Sequence, residues 1–270
     1  MNSPLAAWLP QPGTERYYAL LYAPPHQRGL LSQLEGLRGE IARIPASCSS
    51  PAVALPKLAW WREELARLAR GNPRHPLTQA LGESAPPALI PAALALVSGI
   101  EAMLGGADWP SRAARRAAIA AAHCPLWVVA LSLYCDDAPP LTPACELAAA
   151  VEEAWLLRDA RRYLDGGLPL ATLETSLALG ETSLPPVHDR SAWFACLLGA
   201  DLAVLETALR TGLKALPRRR RLRPLATLAA LAIATVGEIR AGGSRVWDCR
   251  IELTPLRKLL LAWREAHLAR

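Results

Sequence analysis

Residues 57–81, KLAWWREELARLARGNPRHPLTQAL, narrow the folds open to this chain more than any other stretch. Leu58, Trp61, Leu65 and Leu68 recur at i, i+3, i+7 and i+10, which lines them along one side of an α-helix. Pro56 suits a first helical turn, and Gly71-Asn72-Pro73 stops the helix before His75-Pro76 and a short apolar turn. His75 is expected to cap or pack there, and Trp60-Trp61 to serve the core and its edge. The same period returns at Leu30, Leu34, Leu37, Ile41 and Ile44. No stretch shows the sustained alternation of a strand, and no internal repeat is visible.

Composition agrees with that period. Ala and Leu dominate a chain that is 52% hydrophobic and holds a single Phe. Both are strong helix formers, so the expected fold is all-α, with the 24 prolines placed between helices. Helices are expected over 16–22, 26–44, 56–70, 87–104, 110–122, 124–135 and 143–165. Three more are expected over 190–213 (capped by Asp189), from Pro224 to near Gly242, and after Thr254 as N-cap with Pro255 first. The last helix offers Leu256, Leu259, Leu260 and Trp263 as its apolar face. Residues 1–15 read as an irregular lead-in and 16–270 as one helical domain without a long linker.

The longest candidate apolar run, 225–236, falls short of the ~18 residues that span a bilayer. The opening MNSPLAAWLPQPG has no charged and apolar regions of the signal-peptide kind, so a cytoplasmic location is expected. The six cysteines, Cys48, Cys124, Cys135, Cys145, Cys196 and Cys249, share no metal-ligand spacing and read as reduced thiols. Much of the net charge of +6 comes from Arg218, Arg219, Arg220, Arg221 and Arg223. That run reads as a solvated loop, as a patch for anionic lipid, or as a nucleic-acid patch. The last is weakest, since no reading motif or interleaved aromatic accompanies it, and no nucleic-acid partner is expected. Weak peripheral attachment to the cytoplasmic membrane is the expectation carried forward.

Several segments, in order, resemble the squalene/phytoene synthase family: the Tyr22-Ala23-Pro24 turn with Arg28, the Trp-Trp-Arg helix with His75-Pro76, residues 154–169, and GGSRVWDCRIELTPLRK before the last helix. The resemblance covers roughly the whole chain. It implies a single-domain isoprenoid-synthase-like helical bundle around a central cavity. It also implies head-to-head joining of prenyl diphosphates, with Mg²⁺ held between two Asp-rich helices. Magnesium is a hard ion that bridges carboxylates to phosphate oxygens and neutralises the departing pyrophosphate.

At both motifs this chain departs from the family pattern. Where the first should place acids, residues 40–44 read Glu40-Ile41-Ala42-Arg43-Ile44. The second reads Arg158-Asp159-Ala160-Arg161-Arg162-Tyr163, with Tyr163 where the i+4 acid belongs, and its tail shrinks to Gly166-Gly167-Leu168-Pro169. Glu40, Glu152, Arg158, Asp159 and Tyr163 are the remnant motif positions. Glu40 and Asp159 read either as leftover ligands or as surface partners of Arg43 and Arg162 at i+3. Glu152, seven residues before Asp159, extends either a site or a solvated acidic row. Asp136-Asp137 reads as a loop turn and Asp201 as a rim salt bridge.

The expectation is therefore a non-catalytic family member, a pseudoenzyme with no catalytic residue, metal or cofactor, binding a partner protein, a lipid or a prenyl chain. The family the chain resembles includes such a branch, an assembly factor of mitochondrial complex I with a similar Trp-Trp-Arg stretch. The alternative is an active prenyl transferase with Mg²⁺ at an atypical diphosphate site. Oligomeric state is left open by the sequence.

Overall fold

The computed structural model describes residues 4–106, 109–134, 141–178, 190–217, 222–242, 246 and 250–268. After a 3₁₀ turn at Pro4–Trp8 come α1 (Glu15–Leu20), α2 (Pro25–Ala42), α3 (Pro51–Ala69), α4 (Pro76–Leu81), α5 (Leu89–Leu104) and α6 (Arg112–Tyr134). Then follow α7 (Leu141–Arg158), α8 (Ala160–Asp165), α9 (Leu173–Ala178), α10 (Arg190–Ala215), α11 (Arg223–Ala241) and α12 (Pro255–Leu268). Among the described residues the only extended pairing is an isolated bridge between Trp109 and Thr172.

The helices form where the stripes place them. Leu34, Leu37 and Ile41 of α2 and Leu58, Trp61, Leu65 and Leu68 of α3 are all buried. The middle of the bundle is α5, α6 and α7, with α10 and α11 closing on α7 and α3 on α5. Two helices, over 112–133 and 223–241, are long and apolar enough to cross a membrane by length and composition. Here their apolar sides feed the shared core through Leu126, Val129, Leu225 and Leu228.

Several boundaries differ from the sequence expectation. The Trp-Trp helix starts at Pro51, and Pro56 lies inside it. Pro56 removes one helical bond and crowds the carbonyl four residues back, yet the helix runs through, its face of Ala54, Leu58, Trp61 and Leu65 buried on either side. Pro125 likewise sits within one continuous α6 rather than dividing two helices. The expected helix over 143–165 breaks at Asp159, whose backbone leaves the helical region before α8 begins. The lead-in is not irregular throughout: Trp8 packs its ring 4.6 Å from His75, and its carbonyl fills the place a side chain at Gly36 would take.

The turn after the Trp pair is built on a buried carboxylate. Glu64 accepts the backbone N–H groups of Arg74 (2.7 Å) and His75 (2.8 Å), the Thr78 hydroxyl (2.5 Å) and Arg67 Nε (2.8 Å). Burial alone would raise its pKa, but these donors outweigh it and hold Glu64 near 2. His75 accepts the Leu77 N–H and also packs on Trp61, so it both caps and packs. Thr254 caps α12 by accepting the Arg257 N–H. The expected cap Asp189, the Asp136-Asp137 turn and the arginines at 218–221 lie outside the described residues.

The last helix is set the other way round from expectation. Its inward residues are Lys258, Ala262 and Ala266, while Leu256, Leu259, Leu260 and Trp263 are exposed. Lys258 explains the setting. Its ammonium donates to the Gly13 carbonyl (2.8 Å) and pairs with Glu15 (2.9 Å), so turning it outward would leave a buried carboxylate short of a partner.

A cleft floored by a buried ion network

The C-terminal half of α2, the lead-in turn and the break between α7 and α8 enclose a cleft of about 540 Å³. All five remnant positions line it: Glu40 from α2, Glu152 and Arg158 from α7, Asp159 at the break, and Tyr163 from α8. The fold thus brings together residues more than a hundred positions apart.

Each of these acids is already engaged. Glu40 pairs with Arg43 at 2.6 Å, one helical turn on. Asp159 pairs not with Arg162 but with Arg158 (2.7 Å) and Arg250 (3.0 Å). The Tyr163 hydroxyl donates to the Ala42 carbonyl at 3.4 Å, bracing α8 against the end of α2. Arg158 also reaches Glu15 at 3.1 Å, which links the cleft wall to Lys258.

Glu152 does not belong to a solvated row. It is buried on the cleft floor, where Arg16 (2.7 Å), Arg38 (2.6 Å) and Trp127 Nε1 (2.9 Å) all donate to it. Glu35 completes the set by pairing with Arg16 at 2.5 Å and with Arg38. Two guanidinium groups and two carboxylates thus face one another from α1, α2 and α7. The Arg38 guanidinium stacks 4.2 Å above the Trp127 ring of α6. Desolvation would raise the Glu152 pKa, but the Arg16 and Arg38 charges overcome it and hold the carboxyl well below the usual range. His123 stands 3.8 Å from Glu152. Burial, aided by both arginines, brings its pKa to about 4 against the pull of Glu152, so it is neutral at pH 7.

A second pocket of about 40 Å³ shares Glu152, Trp155 and Tyr163 with the cleft and is otherwise lined by Ile100, Met103, Ile119, Leu156 and Leu168 beside His123. That is room for a water or so, at roughly 30 Å³ each. Asp201 lies elsewhere and is no rim residue: it is buried, with Arg112 at 2.5 Å and Arg115 at 2.7 Å. Arg115 is shared with Glu153 at 2.9 Å.

Sequence reasoning missed Arg16, Glu35, Arg38, His123 and Trp127. A signal was present for two of them. Glu35 and Arg38 lie directly beside Leu34 and Leu37, inside the apolar stripe of α2, where a solvated charge has no place.

The donor set does not suit Mg²⁺. Such an ion needs near-octahedral oxygen ligation, usually from one or two carboxylates plus waters and phosphate. Here Glu40, Glu152 and Asp159 are each already paired with a guanidinium group, and the adjacent cations repel a dication. Among the described residues no cluster of three His, Cys, Asp or Glu side chains is placed to hold a metal.

Comparison with known proteins gives a consistent picture. The sequence profile described as squalene/phytoene synthase matches residues 9–258. No curated protein matches the chain. Among solved structures, a squalene synthase HpnC from Alicyclobacillus acidocaldarius superposes with a TM-score of 0.61 at 18% identity, covering 85% of this chain and 89% of its own. A dehydrosqualene synthase in complex with ligand superposes with a TM-score of 0.69 at 15% identity, covering 93% of this chain and 90% of its own. At such identities the likeness speaks for the fold.

Proposed function

This chain belongs to the squalene/phytoene synthase family, and we propose that it is a non-catalytic member, acting by binding rather than by joining prenyl diphosphates. The observation that carries this reading is the floor of the cleft. Ionisation of a prenyl diphosphate requires the departing pyrophosphate to be neutralised as it leaves. The chain's own arginines and acids on α1, α2 and α7 instead neutralise one another, and little charge is left to do that work. The apolar pocket that shares Glu152 and Tyr163 with the cleft is, at 40 Å³, also far too small for a chain of isoprene units.

What the cleft offers is a polar mouth. Arg43, Arg162 and Arg250 stand at its rim, and Arg43 and Arg250 are already shared with Glu40 and Asp159. This suits the head group of a lipid or an acidic side chain of a partner protein better than a buried prenyl tail.

The test is titration calorimetry with farnesyl diphosphate, with and without Mg²⁺, followed by extraction of the mixture for hydrocarbon products. The expected result is no Mg²⁺-dependent binding in the micromolar range and no condensed product. Mg²⁺-dependent heat and a head-to-head product, both lost in Glu40→Gln or Asp159→Asn, would overturn the reading and make those acids, with Glu152, metal ligands.

A further inference from the structure

We infer that the outward face of α12 is a membrane-docking surface that inserts into a bilayer bearing anionic head groups. Leu256, Leu260 and Trp263 stand at i, i+4 and i+7, the spacing of one helix face, with Leu259 beside them. Their exposures of 76, 60, 52 and 42% make this the largest run of exposed apolar side chains on any one described helix. Arg257 and Arg264 flank the face along one side, and His267 closes it. From Pro255 to His267 no acidic side chain is fully exposed: Glu265, the helix's one acid, sits toward the packed side.

Three features favour a lipid surface as the occupant. First, the face is the convex side of a single helix, about 21 Å long at 1.5 Å per residue, with apolar and basic residues sorted as in helices that lie in the membrane interface. Second, the chain's net charge of +6 draws it toward anionic head groups, and Arg257 and Arg264, paired in the folded chain with Glu238 and Glu265, lie where those head groups can compete for them. Third, the outward setting is enforced. Lys258, on the opposite side, is held by Glu15 and the Gly13 carbonyl, so α12 cannot roll to bury its leucines in its own core. The inference is independent of how the cleft is read.

The test is flotation of the full chain with vesicles of phosphatidylcholine and phosphatidylglycerol in equal parts, beside vesicles of phosphatidylcholine alone. The intact protein should float with the anionic vesicles and far less with the neutral ones. Leu260→Ser with Trp263→Ser should lower partitioning by about a hundredfold, roughly tenfold for each half-exposed apolar side chain. Its thermal melt should stay at the wild-type position, because neither side chain is in the core. Brominated phosphatidylcholine in the anionic vesicles should quench the wild-type emission, and Trp263→Phe should lose most of that quenching. The inference is overturned if the intact protein stays off anionic vesicles, or if binding survives the serine exchange, which would locate attachment elsewhere. It is equally overturned if sedimentation shows a dimer that the serine exchange converts to monomer, for then a second copy covers the face.

Discussion

Replacing Glu152 by Gln isolates the energetics of the cleft floor. In the native fold this carboxylate accepts two contacts from Arg16, one from Arg38 and one from Trp127. Gln keeps the volume and one acceptor oxygen but removes the charge. Arg16 and Arg38 would then share the single carboxylate of Glu35, leaving one buried positive charge uncompensated. Breaking a buried pair in this way costs about 3–5 kcal/mol. With an m-value of about 3 kcal/mol/M in urea, a ~4 kcal/mol loss moves the unfolding midpoint down by about 1.3 M. Urea titration followed by circular dichroism reads this directly, with tryptophan emission as a second probe since Trp127 packs against the site. Replacing both partners, Glu152→Leu with Arg38→Met, should recover part of the loss, because an apolar pair carries no desolvation debt. A Gln variant whose midpoint lies within about 0.2 M of wild type would refute the reasoning, since it would mean that water reaches the floor and screens the charges.

Two further outcomes follow from described environments. Ile44, buried in the main core, should not tolerate Asp: a loss on the order of 3 kcal/mol or more is expected in thermal melts, whereas Tyr163→Asp, half-buried on the cleft wall, should be milder. Glu64 should make the fold acid-sensitive. Its folded pKa near 2 lies below the unfolded value of 4.5, so the stability it contributes is present above about pH 4.5 and drains away as pH falls toward 2; acid titration of Glu64→Gln should lack that component.

Much of the fold was legible because helix periodicity is local. The stripes of α2 and α3 could be read from neighbours three and four residues apart, and so could the Glu40–Arg43 pair. The floor was not legible, because its partners are separated by 114 and 136 positions and meet only when the helices pack. The solvated-row reading of Glu152, which its burial rules out, came from reading spacing along one helix, where an acid at i+7 looks like a surface row. The wrong face of α12 came from assuming that leucines turn inward. The inward face was decided instead by one lysine with a partner at the far end of the chain.

That lysine bears on how the protein is made. Glu15 belongs to the first α-helix described and Lys258 to the last, so their ion pair waits for the 243 positions that separate them to be made. Arg16 can meet Glu35 of α2 early but must wait for Glu152, and the largest surface α1 rests on belongs to α11. Until Glu152 is made α1 is held by α2 alone, and its packing is completed only when α11 and α12 are in place. Contacts this distant slow folding and lengthen the time during which apolar faces stand open. Removal of α12 is thus expected to loosen α1 rather than free it: the Lys258 tie to Glu15 and Gly13 is lost, while Arg16 stays on Glu35 and Glu152 and α1 stays seated on α11.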